Sequence, residues 1–142
     1  MAKVQRAGAE GLRQAHARLR KDLGELEAAA RAPAGAAAPA LGALLRRARA
    51  HLAEHFRFEE ENGYMSAVLL RDPNQERHVQ QSRDEHRRLF AALESLLDGA
   101  GQGAGEGLRA KVLEWVTAVR RHEGREDTFV LDVFNVDTGA ED

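Results

Sequence analysis

Buried-type positions recur along this chain at steps of three and four, in four separate runs. The first is Leu12, His16, Leu19, Leu23 and Leu26, and the second is Leu41, Leu45, Ala48, Leu52, His55 and Glu59. The third is Val79, Ser82, His86, Leu89, Leu93 and Leu96. The fourth is Leu108, Val112, Trp115, Val119, His122, Glu126, Phe129 and Val133. This spacing keeps one helix face toward a partner, and no strand-like alternation competes with it. It predicts helices over roughly 4–30, 38–68, 74–98 and 107–134, followed by a short C-terminal tail. Breaks fall at Arg31-Ala32-Pro33-Ala34-Gly35, at Asp72-Pro73-Asn74 and at the Gly-rich run 99–105. Four helices with short connections predict an all-α, antiparallel up-down-up-down four-helix bundle, one domain over residues 1–142.

Six positions on these stripes are the wrong kind for a core. His16, His55, His86 and His122 each occupy the apolar face of a different helix. Glu59 and Glu126 lie one turn after His55 and His122, on the same faces. Burying such groups without partners costs a few kcal/mol each or more. Their heights agree as well. His16 and His55 are about 18 and 21 residues from the middle of the first break, and His86 and His122 about 16 and 20 from the middle of the Gly-rich one. At about 1.5 Å per residue each pair matches within about one turn. Four helices thus bring their histidines to one slab of the core.

Composition narrows what the slab can do. The 142 residues contain no cysteine, which excludes disulfides, thiolate metal sites, iron–sulfur clusters and cysteine nucleophiles. A net charge of −2 gives no basic excess for nucleic acid. No apolar run approaches the roughly 20 residues of a membrane span. The start, Met1-Ala2-Lys3-Val4-Gln5-Arg6, lacks the apolar segment of a secretion signal, so a cytoplasmic location is expected.

His55–Glu59 and His122–Glu126 can each present a nitrogen and a carboxylate to one space. Two carboxylates can bridge two metal ions while imidazoles bind them terminally. Nitrogen and oxygen donors without sulfur suit iron or manganese, with zinc as a generic competitor. Neighbouring motifs are absent. No histidine has a glutamate three residues before it, as ferritin-like di-iron bundles require. His51-Leu52-Ala53-Glu54-His55 lacks the glutamate that His-Glu-x-x-His zinc sites carry after the first histidine.

The order His, His-x-x-x-Glu, His, His-x-x-x-Glu resembles the hemerythrin-like, or HHE cation-binding, family, in its branch with four histidines and two glutamates. The resemblance spans about Gln14 to Phe134. Its most specific pieces are His55-Phe56-Arg57-Phe58-Glu59-Glu60-Glu61, Glu85-His86-Arg87-Arg88-Leu89 and His122-Glu123-Gly124-Arg125-Glu126-Asp127. It implies a non-haem di-iron centre of two oxo- or hydroxo-bridged iron ions, with His16, His55, His86 and His122 terminal and Glu59 and Glu126 bridging. Oxygen-carrying members have a fifth histidine where Ser82 stands here, and a helix 4 pattern that Asp127 would fit. Glu126 is preferred over Asp127 because it extends the stripe through Val119, His122 and Phe129.

Other residues take humbler expectations. His51 reads as supporting the centre or lining a pocket, and His78 as surface or pocket rim. Glu60 and Glu61 read as a solvated acidic flank, and Trp115 as core. Arg18-Leu19-Arg20-Lys21 and Arg46-Arg47 read as solvated helix faces. Tyr64 reads as core or turn packing, with shielding of the site or a hydrogen bond to a bound oxygen species as the sharper role. The resemblance implies a protein that binds or senses oxygen, peroxide or nitric oxide. The alternative is a di-iron enzyme with catalase-like or ferrous-iron-oxidising activity. The missing fifth histidine, through a more open iron, favours peroxide decomposition, ferrous-iron oxidation or sensing over simple oxygen carriage. A sensor would need a separate protein partner. A purely structural helical adaptor fails on the six-residue constellation.

Overall fold

The computed structural model describes the backbone of residues 2–32, 38–61, 63–101 and 106–141, and side chains at 14, 16–32, 40–61, 63–101 and 107–134. Leu12 of the first stripe, the break residues 33–35 and the Gly-rich residues 102–105 lie outside this description. The elements are α1 (Ala2–Arg31), α2 (Ala38–Glu61), α3 (Tyr64–Arg71), a 3₁₀ turn (Pro73–Gln75), α4 (Glu76–Gly101) and α5 (Glu106–Glu141). Among the described residues no strand occurs. No described helix is long and apolar enough to cross a membrane.

The four long helices form a ring in which α1 packs on α2 and α5, and α4 packs on α2 and α5. Cross-helix pairs fix the directions. Arg18 pairs with Glu54 and Asp22 with His51 between α1 and α2, while Glu60 meets His86 and Arg49 meets Glu94 between α2 and α4. His16 meets Asp127 and Glu27 meets Arg120 between α1 and α5. The Trp115 indole donates to the Leu89 carbonyl, and Glu85 meets His122, between α4 and α5. In each pair one number rises as the other falls, so every neighbour is antiparallel.

The expected second helix is interrupted. α2 ends at Glu61, and α3 begins at Tyr64 after Gly63. A Cβ on Gly63 would lie 2.8 Å from the Glu59 Cα and 2.9 Å from the Phe58 carbonyl oxygen. Only glycine allows the chain to turn this tightly against the end of α2. The turn lays α3 across one end of the bundle, against α1, α2 and α5. At the next break Asp72 caps the 3₁₀ turn, accepting from the Asn74 backbone N–H and the Gln75 side-chain amide, both at 3.1 Å. At the other end of the chain, α5 runs on to Glu141, where a tail was expected after 134. No proline follows to stop it.

The apolar core is in two parts. The larger runs from Leu19 to Ala30 on α1, Leu41 to Phe56 on α2, Leu89 to Leu96 on α4 and Leu108 to Val119 on α5. The smaller joins Tyr64, Met65 and Val68 of α3 to Val79, Phe129, Val130 and Phe134. Between them along α4 and α5 lie His86, His122 and Glu126, all buried.

Gly63→Ala is expected to cost about 1–3 kcal/mol, as for other overpacked sites, because the new methyl meets backbone and not a yielding side chain. Urea denaturation measures it. A variant as stable as the wild type would mean that α3 moves aside freely.

Candidate metal centre

All six expected residues converge. His16, His55, Glu59, His86, His122 and Glu126 are each buried. Glu59 Oε2 lies 3.4 Å and Glu126 Oε1 3.2 Å from His16 Nε2. Glu59 Oε1 lies 3.4 Å from His55 Nε2 and 3.2 Å from His86 Nε2. Glu126 Oε2 lies 3.1 Å from His86 Nε2 and 3.2 Å from His122 Nε2. The donors sort into two groups, each with its ligand atoms within 4.8 Å of one another: His16, His55, Glu59 and Glu126, and His86, His122, Glu59 and Glu126. Both groups contain both carboxylates. The imidazoles pair accordingly, with ring centroids 5.2 Å apart for His16 and His55 and 4.8 Å for His86 and His122.

Three of the imidazoles are held from behind by carboxylates. Asp127 Oδ1 accepts from His16 Nδ1 at 3.0 Å, Glu60 Oε2 accepts from His86 Nδ1 at 2.7 Å, and Glu85 accepts from His122 Nδ1. An ionised carboxylate only accepts, so each Nδ1 carries the proton and each Nε2 faces the centre. Such supports orient metal-binding histidines and raise their basicity. Each support is the sequence neighbour of a cluster residue. Glu60 follows Glu59, Asp127 follows Glu126 and Glu85 precedes His86. Adjacent helical residues point about 100° apart. One therefore faces the core while its neighbour reaches the next helix of the ring.

This geometry corrects the reading of Glu60 as solvated flank; only Glu61 is exposed there. It gives Asp127 a supporting place beside His16, outside both four-residue groups. Glu85 and Glu123 were missed as contributors. Glu123 is a buried carboxylate with Oε2 3.9 Å from His16 Nδ1. Tyr64 is buried in the smaller core, as expected of packing, and donates its hydroxyl to Glu126 Oε2 at 2.6 Å. Phe56 stacks on His86 at 3.8 Å and 6°. His51 is outside both groups and pairs through Nδ1 with Asp22 Oδ2 at 2.6 Å. His78 is exposed and stacks on Phe129 at 3.7 Å. Trp115 is core. Arg18, Arg20, Lys21 and Arg46 are exposed, as expected for solvated faces. Arg47 is exposed too but pairs with Asp22 and Glu25.

The charges are tightly interdependent. Burial opposes protonation of His16 and His86, but the Glu126 and Glu59 carboxylates outweigh it and raise both to about 10. His122 is raised in the same way, against burial, chiefly by Glu126. Burial and repulsion from Glu126 push the Glu59 carboxyl up, yet the His16, His55 and His86 imidazoles gathered around it bring it below the ordinary range. For Glu126 burial is again opposed, by His122, His16 and His86, which hold it well below that range. Burial and the two carboxylates push the Tyr64 hydroxyl up, so it stays a donor. Burial also raises Glu123.

The cluster fits cations. Both oxygens of Glu59, both ring nitrogens of His55 and His122 Nε2 are buried with no hydrogen-bond partner. A native core does not leave such groups unmatched without a reason. Among the described residues three openings touch the cluster, one of them a pocket of about 310 Å³ between α2 and α4 at His86. A groove of about 730 Å³ between α4 and α5 touches His122 and Glu126 and is walled by Ser82, Gly124 and Phe129. A pocket of about 350 Å³ between α1 and α2 touches His55 and His51.

Comparison with known proteins places the chain. The model of the hemerythrin HHE cation-binding domain matches residues 7–133. No curated protein and no solved structure gives a significant match.

The titrations predict that metal contributes more to stability as pH rises. Free histidine titrates near 6.5. The stabilisation from His16 and His86 is therefore complete below about 6.5 and lost as pH rises through about 10. That from Glu59 and Glu126 is present above the ordinary carboxylate value of about 4.3 and lost as pH falls through their lowered values. The melting temperature of chelator-treated protein should fall from pH about 6.5 toward 9. A metal competes with these protons, so the stabilisation it adds should widen over the same range. Melting curves across that range with and without chelator check this; a metal increment that shrinks with rising pH would contradict it.

Proposed function

The chain belongs to the hemerythrin HHE cation-binding domain family, and from that premise we propose that its buried cluster holds two non-haem iron ions and binds or senses oxygen, peroxide or nitric oxide. The carrying observation is that two four-residue donor groups share the same two carboxylates. Glu59 and Glu126 would serve both ions, and two imidazoles would complete each side. Four protein donors on each side would leave room for a small ligand. Iron bound there would supply reversible one-electron chemistry and room for a small ligand.

The chain's own residues support that use. Asp127, Glu60 and Glu85 fix the tautomers of His16, His86 and His122. Tyr64 places a hydroxyl proton on Glu126, beside the opening between α4 and α5. The apolar residues on both sides keep bulk water from the cluster, so a ligand arrives through a groove and not through the core. Ser82 on the wall of that groove is small and carries no imidazole. This openness favours the second reading, an enzyme with catalase-like or ferrous-iron-oxidising activity.

Elemental analysis after anaerobic iron loading should give about two ions per chain, with an absorption spectrum that changes on adding nitric oxide or peroxide. Sustained oxygen evolution from peroxide would favour the enzyme over the sensor. Glu126→Ala should lose most of the iron, whereas Asp127→Ala should keep it with affinity weakened about 10–100-fold. Loading near zero in the wild type would overturn the assignment, and the reverse order of the two variants would move the bridge to Asp127.

A further inference from the structure

The supporting carboxylates run around the ring with one gap. α2 supports the histidine of α4 through Glu60, α4 supports that of α5 through Glu85, and α5 supports that of α1 through Asp127. Among the described residues none completes the circuit from α1 to α2. His55 is buried, and neither its Nδ1 nor its Nε2 has a hydrogen-bond partner. The sequence shows why. Ala15 precedes His16 where Glu85 precedes His86, and Ala17 follows it. Neither alanine carries an acceptor.

His55 is also the cluster residue that the pocket between α1 and α2 reaches. His51 lies on the same wall, one helical turn before His55 on the same face. It has what His55 lacks. Asp22, a buried carboxylate of α1, accepts from His51 Nδ1 at 2.6 Å and is braced by Arg47 at 3.6 Å. With Nδ1 taken up by Asp22, Nε2 is the nitrogen His51 has left to offer a metal. The charged residues beside it, Arg18 and Glu54, are exposed and neutralise each other at 3.4 Å.

We propose that the two ions are held unequally, and that the ion of the His16–His55 half exchanges through the α1–α2 pocket with His51 as its transient ligand. This rests on the reading of the cluster as a two-ion centre. Loss of a supporting carboxylate typically weakens metal binding about 10–100-fold. His55 is therefore the ligand that lets go, and a carboxylate-supported imidazole stands one turn away to take the divalent cation from it. His86 and His122, both supported, keep their ion.

Iron release from the loaded protein to excess colorimetric iron(II) chelator, followed anaerobically, tests this. Two phases of about one ion each are expected, separated about 10-fold or more in rate. His51→Asn keeps an amide donor for Asp22 but no second ring nitrogen. It should slow the fast phase severalfold and leave the slow phase and the total unchanged. Ala15→Glu, which supplies the missing carboxylate at the position Glu85 holds in the other half, should slow the fast phase as well. His78→Ala, in the opposite groove, should change neither phase. Circular dichroism confirms that each variant is folded. One phase for both ions, or a fast phase indifferent to both His51→Asn and Ala15→Glu, would overturn the proposal while leaving the two-ion centre standing. Failure of the wild type to load two ions would instead overturn the reading beneath it.

Discussion

The bundle is arranged around two buried carboxylates. Glu59 and Glu126 lie in the middle of a helical core, and each raises the cost of ionising the other. A charged group in such surroundings needs an opposite charge close by, or it neutralises. The four histidines answer that need, one from each long helix. Without metal, His16, His86 and His122 do so by holding protons more tightly, and bound cations would do so with more charge. The antiparallel ring follows from this demand as much as from apolar burial, because only four helices at matched height can surround two buried anions.

The cluster was legible because each of its members lies on its own helix's apolar stripe. Position on a stripe is a property of a single helix, and sequence spacing states it directly. The supports were not legible in the same way. Glu60, Glu85 and Asp127 lie off the stripes, and what they touch belongs to the neighbouring helix. Their roles depend on how two helices are rotated against each other, which no single-helix pattern encodes. Glu60 therefore read as solvated, although it stands beside Glu59 and reaches His86. Asp127 drew notice for its spacing, yet its use became clear only against His16.

The break at Gly63 was a different kind of miss. Asn62-Gly63 is a turn signal, but the apolar run from Met65 to Leu70 continues the helical rhythm and masked it. What decided the matter is a turn so close to Glu59 that any side chain at Gly63 would meet the backbone there, which a list of residues does not display. The turn matters for the centre, since it sets α3 across the bundle end and brings Tyr64 to Glu126. It also explains why Tyr64 could pack in the core and hydrogen-bond the cluster at once.

The polar slab also divides the apolar interior, and that has a dynamic consequence. Proteins open in cooperative units whose boundaries fall where apolar contact is thin. Here the boundary is drawn by the cluster itself. Tyr64, Met65, Val68, Val79, Phe129, Val130 and Phe134 form one unit, and the long body of the bundle forms the other. The smaller unit can melt without the larger, and its melting would carry Tyr64 off Glu126 and bare one side of the buried anions. Ions spanning the slab would tie the two units into one. The same bonds that hold the metal would thus set how often this end of the protein breathes.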